Sequence, residues 1–402
     1  MPDYSLDSEF VKQLDEDILE FIHQGLENQD EERFNELALR EFELQYHTIE
    51  PYREYCRKKG VSPKSASHWD QIPAVPSFAF KQFVLASFPV DKAEHAYFTS
   101  GTNNPAIKGK IFRDAGAVRL IKEANGLLTR SYLFPDAERM RILLMVPSPK
   151  IAPSMGMAVG LEEVRKRFGT PDSRYLISPL GLNAKALLAG LKESESSGQP
   201  IALIGATSGL VYFFNACKEN GISFKLPHGS RVCDGGGYLG QFGECTKEEY
   251  FKQCEEVLGV CEQFCVNVLG MGESSTNYFD NVLRNAITTR KNVARRNEIP
   301  PWTRTVIVDT KEFNGVPHGE IGLLRHYDLV NRAMVFAVQT DNLGYRTDEG
   351  FEIIGRWDKQ EGAVGVDPSA RGHPGGKIVT QLTDLLMRRG LSGVGKTYAR
   401  LS

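Results

Sequence analysis

Residues 97–110 read YFTSGTNNPAIKGK. The aromatic pair Tyr97-Phe98 has the character of the end of a buried strand. Thr99, Ser100, Gly101 and Thr102 follow in a row, then Asn103, Asn104 and Pro105. Such a run continues neither a helix nor a strand. It supplies hydroxyls and unencumbered backbone N–H groups in a turn, with Lys108 and Lys110 close behind. Many short donors, little bulk and nearby positive charge are what a polyphosphate needs. The pattern is not a Walker loop, since no GxxxxGK[ST] occurs. Taken alone, a Ser/Thr/Gly cluster is more often an ordinary loop between two elements. Its meaning is decided by what surrounds it.

Downstream, the chain repeats one kind of unit. Ile201–Gly205 reads as a strand that runs into Ala206-Thr207-Ser208-Gly209 and an apolar helix. Strand, small loop and helix in that order form the βα unit of an open parallel sheet. Ligands bind such sheets at the carboxyl ends of the strands. Arg231-Val232-Cys233 leads into Asp234-Gly235-Gly236-Gly237-Tyr238. Consecutive glycines let a planar group lie on the backbone, although a plain strand-end turn would use them too. Gln263–Leu269 then precedes Gly270-Met271-Gly272-Glu273-Ser274-Ser275. From Pro301 the chain turns to strands: Trp302–Asp309, then Met334–Gln339, expected to end in Thr340-Asp341. A hairpin at Asp348-Glu349-Gly350-Phe351 leads to Ile353-Ile354-Gly355-Arg356-Trp357-Asp358.

Taken in order, these segments resemble the motifs of the adenylate-forming superfamily. Phe98-Thr99-Ser100-Gly101-Thr102 match the first half of its [YF]TSGTTGxPK loop, with Asn103-Asn104 in place of the second Thr-Gly. Gly270-Met271-Gly272-Glu273 is similar to YGxTE, with Leu269 for the tyrosine and Gly272 for the threonine. Gly319-Glu320-Ile321-Gly322 and Leu324 resemble GExGEL. Thr340-Asp341 stands for TGD, and Glu349-Gly350 to Asp358 for DGxxxxxGRxD. Upstream, Ile72-Pro73, Pro76, Phe80 and Lys81 fit an IPxxPxxxFK segment of the acyl-protein synthetases, the ligase component of luminescence fatty-acid reductase.

The resemblance implies an α/β adenylate-forming ligase domain: stacked mixed and parallel sheets with flanking helices and a small β-subdomain. It implies residues 1–355 as the adenylation domain, with 1–60 a helical N-terminal region, and 356–402 as a short C-terminal subdomain. It implies ATP and Mg²⁺. Thr99, Ser100, Gly101 and Thr102 would hold phosphates. Gly235, Gly236, Gly237 and Tyr238 would contact adenine. Gly270, Met271 and Gly272 would line the nucleotide site, and Glu273 would bind Mg²⁺, which needs a hard carboxylate and keeps most of its waters. Asp341 would grip the ribose, since one carboxylate can accept two hydrogen bonds. Arg356 would meet the ribose or α-phosphate, and Asp358 would be a hinge. Met155-Gly156-Met157 would stand near the acid pocket, or be a helix start with methionine as core filler.

The N-terminal region supports a structural reading. Phe10, Leu14, Ile18, Phe21 and Ile22 fall on one helical face behind Ser8 as a cap, and a second, charged helical run extends to about Tyr52. The prolines of 61–89 mark a connection into a short helix at Phe78–Leu85. The net charge of −3 argues against a general nucleic-acid binder. No apolar window suits a membrane span, and the acidic start lacks the features of a secretory signal. An odd number of cysteines without CxxC reads as reduced thiols in the cytoplasm. Cys261 and Cys265 fit core packing better than half a metal site.

The expected reaction joins a carboxylic acid and ATP into an acyl-adenylate, releases pyrophosphate, and passes the acyl group to a thiol or amine. The acceptor would be a protein, a carrier or a reductase subunit. Two alternatives stay open. One is an acyl-CoA ligase, against which the short stretch after Arg356 argues. The other is a non-catalytic nucleotide-binding subunit, favoured by Asn103-Asn104, Gly272 and the lack of cysteine after Cys265. Lys377, in Gly375-Gly376-Lys377-Ile378, resembles a lid lysine that comes early. Gln381–Arg389 reads as a last amphipathic helix.

Overall fold

The computed structural model describes residues 2–98, 109–236, 245–288, 293–348, 350–357, 387 and 389–401. Outside them lie Thr99, Ser100, Gly101, Thr102, Lys108, Gly237, Tyr238, Glu349, Asp358 and Lys377, and most of the expected helix at 381–389.

The N-terminal helices follow their apolar faces. Helix α1 (Glu9–His23) buries Val11, Leu14, Ile18, Phe21 and Ile22, and Ser8 caps it by accepting from the Val11 N–H at 3.3 Å. The single run expected to reach Tyr52 is instead two helices, α2 (Glu31–Thr48) and α3 (Glu50–Lys58). Ile49 between them is extended, and Pro51 sits in the first turn of α3, where no N–H is needed. Strand β1 (Val75–Pro76) then leads to α4 (Ala79–Gln82). The expected helix at Phe78–Leu85 is thus one turn long. Phe83 becomes extended, and Leu85 and Phe88 are buried beyond it.

Strands β2 (His95–Phe98) and β3 (Lys110–Arg113) form an antiparallel hairpin, with Phe98 opposite Lys110 and His95 opposite Arg113. The Tyr97-Phe98 strand exists but is not buried. It belongs to a two-stranded ribbon, and Phe98 is 48% exposed. Helix α5 (Ala115–Tyr132) follows, capped by Asp114.

The central region alternates strands and helices: β4 (Arg141–Pro147), α6 (Gly156–Phe168), β5 (Arg174–Ser178), β6 (Gly181–Leu182), α7 (Ala184–Ser197), β7 (Ile201–Ala206), α8 (Thr207–Glu219), β8 (Arg231–Gly235), α9 (Lys247–Leu258), β9 (Cys265–Leu269) and β10 (Tyr278–Phe279). Among the described residues these strands make a seven-stranded sheet in the order β10-β9-β8-β7-β4-β5-β6. The neighbours from β9 to β5 are parallel, and β10 and β6 close the edges antiparallel. RILLMV and IALIG are buried along their length, as strands covered on both faces require.

After α10 (Val282–Ile287) come β11 (Asn297–Glu298), β12 (Thr303–Val308), β13 (Gly322–Asp328), β14 (Ala337–Arg346) and β15 (Gly350–Arg356). They form a second sheet in the order β11-β15-β14-β13-β12, antiparallel throughout, with β1 added in parallel to β14. Strand β14 does not end at Thr340-Asp341. It runs on to Arg346, because its edge partner changes there. β1 flanks Val338 and Gln339, and β15 flanks Asn342 to Arg346. Strand β15 crosses the expected boundary at 355/356. The last helix, α11 (Val394–Ala399), lies against α7 and α8. There Tyr398 meets Phe224 edge-on at 5.6 Å, and the Lys192 ammonium lies 4.1 Å from the Tyr398 ring centre.

Candidate active site

The carboxyl ends of the parallel strands gather the loops of interest. Gly235 ends β8 and pairs with Val268 of β9, so Gly235-Gly236 and Gly270–Glu273 leave neighbouring strands side by side. Gly236 has φ +118°, a backbone conformation that side chains rarely adopt. A Cβ on Gly235 would lie 3.6 Å from both the Met157 Cε and the Val268 carbonyl, which places Met157 beside the glycine strand end. A buried carboxylate ties these strand ends together. Oδ2 of Asp234 accepts from Thr207 Oγ1 (2.7 Å), at the start of α8, and from Asn267 Nδ2 (2.8 Å) in β9. Burial pushes Asp234 up to about 7, against the pull of those two donors.

The hairpin β2–β3 is fastened over the same end of the sheet at two points. The Phe98 N–H donates to the Ser154 carbonyl at 3.2 Å, in the loop after β4. Arg113 Nη2 donates to the Gly272 carbonyl at 3.3 Å and to Asn331 Oδ1 at 3.1 Å. The Tyr97–Lys110 stretch is therefore anchored on both sides of its phosphate-loop candidates.

Glu273 is partly buried in its loop. Burial raises its carboxyl above the usual range, and Asp341 pushes the same way. A backbone hydrogen bond, Lys81 and Arg356 pull it down. Four charged side chains from four places in the chain therefore share one field. Asp341 is the exposed position in an otherwise buried part of β14. It sits where β1 leaves the strand edge and β15 takes over. The Asp341 carbonyl accepts from the Trp357 N–H at 2.8 Å, so the backbone of β15 is held up to the point where Arg356 projects as an exposed residue. Asn342, opposite Arg356, donates to the Met271 sulfur at 3.7 Å and joins the second sheet to the glycine loop of the first.

Glu273, Asp341 and Arg356 are thus brought together. Gly235, Gly236, Gly270, Met271 and Gly272 line the adjoining strand ends; Gly236, Gly270 and Gly272 are exposed, and Gly235 and Met271 are half-buried. Among the described residues no cluster of three or more His, Cys, Asp or Glu could hold a metal. A single carboxylate such as Glu273 suits Mg²⁺ shared with phosphates. Six cysteines are buried thiols and Cys261 is exposed. No described helix is long and apolar enough to cross a membrane.

The sequence reading missed the residues that hold this loop. Asp328 accepts from Ser274 Oγ (2.9 Å), from the Ser275 and Thr276 N–H groups (3.0 and 2.8 Å) and from Thr276 Oγ1 (2.8 Å). Arg332 is fully buried and makes paired bonds to Asp15 and to Asp114, all within 2.7–2.9 Å. Charged residues inside the apolar run YDLVNRAMVFAV are the signal that could have found them, since buried charge survives only when paired.

Three comparisons bear on this site. The family model described as acyl-protein synthetase, LuxE, matches residues 9–362. A long-chain-fatty-acid–luciferin-component ligase of Vibrio harveyi is 23% identical over 313 residues, 77% of this chain and 78% of the relative. Its counterpart in Aliivibrio fischeri is 24% identical over 316 residues, with the same coverage. Among solved structures, the fold matches 2-hydroxyisobutyryl-CoA ligase in an open conformation with a TM-score of 0.58, at 13% identity, over 82% of this chain and 71% of that one. The same ligase in its thioesterification state also gives 0.58, at 14% identity, over 89% and 70%. The expected fold class and the expected resemblance both hold, and the chain belongs to the acyl-protein synthetase (LuxE) family of adenylate-forming ligases.

Proposed function

We propose that this ligase activates a long-chain fatty acid, as the names of its two relatives describe for them, and hands the acyl group to a protein acceptor, in keeping with the description of its family. The convergence of Glu273, Asp341 and Arg356 at the carboxyl end of the parallel sheet carries this reading. A carboxylate oxygen of the acid attacks the α-phosphorus of ATP, and the bond from that phosphorus to the pyrophosphate oxygen breaks. The nucleophile is already an anion, so the protein needs positioning and charge neutralisation rather than a general base. Thr99, Ser100 and Thr102 hold the leaving phosphates, with Gly101 giving them room. Gly235, Gly236, Gly237 and Tyr238 receive the adenine. Asp341 takes the ribose hydroxyls, and Arg356 the sugar or α-phosphate. Glu273 would hold Mg²⁺, which when bound neutralises phosphate charge.

Residues 1–355 form the adenylating unit in this reading, and 356–402 a short C-terminal subdomain of which α11 is docked on α7 and α8. Unpaired thiols support a reducing compartment, the cytoplasm, in this reading.

The test is pyrophosphate release in Mg²⁺-ATP across short, long-chain and aromatic acids, with hydroxylamine as trap. Release with long-chain acids and a matching hydroxamate is expected. Release with another class would replace the substrate. Tight ATP binding without release for any acid would favour the nucleotide-binding subunit.

A further inference from the structure

Lys81 has no chemical step assigned to it so far, yet the fold delivers it to the site. β1 lies along the first part of one edge of β14, with Val75 beside Val338 and Pro76 beside Gln339. The Ser77 N–H continues that contact, donating to the Gln339 carbonyl at 2.9 Å. The chain therefore leaves β14 two residues before Asp341. It turns through α4, which packs against β3, the strand that follows the phosphate-loop candidates. Phe80 is buried to 1% exposure and pins this turn, and Lys81 is the next residue. β3 in turn reaches the Glu273 loop through Arg113, which donates to the Gly272 carbonyl at 3.3 Å, so α4 brings Lys81 to the side of the site where its charge, like that of Arg356, favours the Glu273 carboxylate. Lys81 comes from the helix that follows β1 and Arg356 from β15, so the two cations approach from the two successive edge partners of β14, on either side of the gap that exposes Asp341. Phe78, Phe83 and Val84 on the same turn are 47%, 48% and 44% exposed. An ammonium flanked by apolar side chains suits a ligand with a carboxylate head and a hydrocarbon tail.

We propose that Lys81 is a catalytic residue of adenylation: its ammonium holds the fatty-acid carboxylate against the α-phosphorus and neutralises the phosphoryl oxygens as pyrophosphate departs. This rests on the adenylating reading given above. In the step, one carboxylate oxygen forms the new bond to phosphorus. The bridging oxygen leaves with its electron pair as pyrophosphate. No proton moves, so the step asks for a positive charge and not for a base. A compact ammonium on a flexible stem can follow the carboxylate as it approaches.

The experiment compares the parent with Lys81→Ala, Lys81→Gln and Lys81→Arg in the full chain. It reads acid-dependent ATP–pyrophosphate exchange, ATP affinity, melting temperature and affinity for a non-hydrolysable acyl-sulfamoyl adenosine. Lys81→Ala and Lys81→Gln should each slow exchange by about 10²–10³-fold, the loss typical of one preorganised charge-stabilising group. Their melting temperatures should match the parent, and ATP affinity should change less than about threefold by the same logic of transition-state binding. Lys81→Arg should recover part of the rate, and added ethylammonium should rescue Lys81→Ala, which a purely structural lysine would not allow. Exchange within threefold of the parent in either neutral variant, or a loss that tracks a fallen melting temperature in both, overturns the assignment. If the parent exchanges with no acid, the adenylating reading fails separately, and the analogue decides. Weaker analogue binding in the neutral variants keeps Lys81 at the head-group position. Unchanged binding, or none even by the parent, removes it.

Discussion

The side-chain amide of Asn331 donates to the backbone carbonyl of Glu273 over 2.9 Å. The same nitrogen donates to the Val335 carbonyl at 2.5 Å, and its oxygen accepts from Arg113 and from Ser275 Oγ. The loop that carries the candidate metal carboxylate is therefore positioned from behind by a residue that faces no ligand. Asn331→Ala should lower the rate of adenylation about tenfold, with a smaller change in the apparent KM for ATP. It should also cost about 1–3 kcal/mol of stability through the carbonyls left unpaired. Glu273→Gln should abolish adenylation and leave urea denaturation unchanged. A variant at 331 that keeps full activity would show that the loop needs no such support.

Asp341 yields a more selective expectation. Its carbonyl accepts from the Trp357 N–H and its side chain is exposed, so replacing it should leave the melting temperature where it was. If the carboxylate takes the ribose hydroxyls, the parent should prefer ATP over 2′-deoxy-ATP. Asp341→Ala should lose most of that preference, together with about 1.5–3 kcal/mol of ATP binding, the worth of hydrogen bonds to a charged group. Steady-state kinetics with both nucleotides reads this directly. A preference that survives the substitution would move the ribose elsewhere.

The buried clamp of Arg332 with Asp15 and Asp114 joins α1, the start of α5 and the segment after β13. Arg332→Met should destabilise the chain by about 3–5 kcal/mol in urea, because two buried carboxylates lose their partner. Gly116→Ala should also destabilise it, even though alanine favours a helix, since a Cβ there would enter between Asp15 and Arg332. Stabilisation by the alanine would mean that the clamp shifts aside readily.

How much of this was legible from residues alone depends on whether the information is local. The helix Lys247–Leu258 was readable to the residue, since Thr246 and Glu249 form a capping box and Gly259 ends it in a left-handed turn. Glu273, Asp341 and Arg356 could be named because each falls in a short motif that resembles one of the adenylate-forming superfamily. The true extent of β14 could not be read. Thr340-Asp341 looks like a strand end because an exposed aspartate there interrupts the apolar run. In the fold it marks a change of edge partner from β1 to β15, which is a fact about pairing between segments hundreds of residues apart. The exposure of Phe98 escaped for the same reason: two aromatic residues suggest burial, and only the fold shows a two-stranded ribbon. The approach of α4, and with it Lys81, to the site likewise depends on β1 joining β14.

Asp234 and His326 make stability depend on pH in opposite directions. Burial raises Asp234 to about 7, from an ordinary value of 3.8, with Asp280 adding to the rise and Thr207, Asn267 and Arg295 opposing it. The Asp234 charge in turn raises the thiols of Cys233 and Cys265. Between about pH 4 and 7 the folded chain thus binds a proton that the unfolded chain has already lost, so this contribution to stability falls as pH rises through that window and is gone above it. His326 is buried and held down to about 3 by burial, with Thr305 Oγ1 2.9 Å from its Nδ1. It must stay neutral in the fold, so its contribution is present above pH 6.5 and is lost as pH falls. Comparing Asp234→Asn with the parent at each pH cancels the histidine, which both carry. The variant's melting temperature relative to the parent should rise by about 2–4 °C from pH 5 to pH 8, the shift that about 2–3 kcal/mol produces in a chain of this length. Parallel curves would mean that Asp234 does not titrate in this range and that Thr207 and Asn267 hold it ionised throughout.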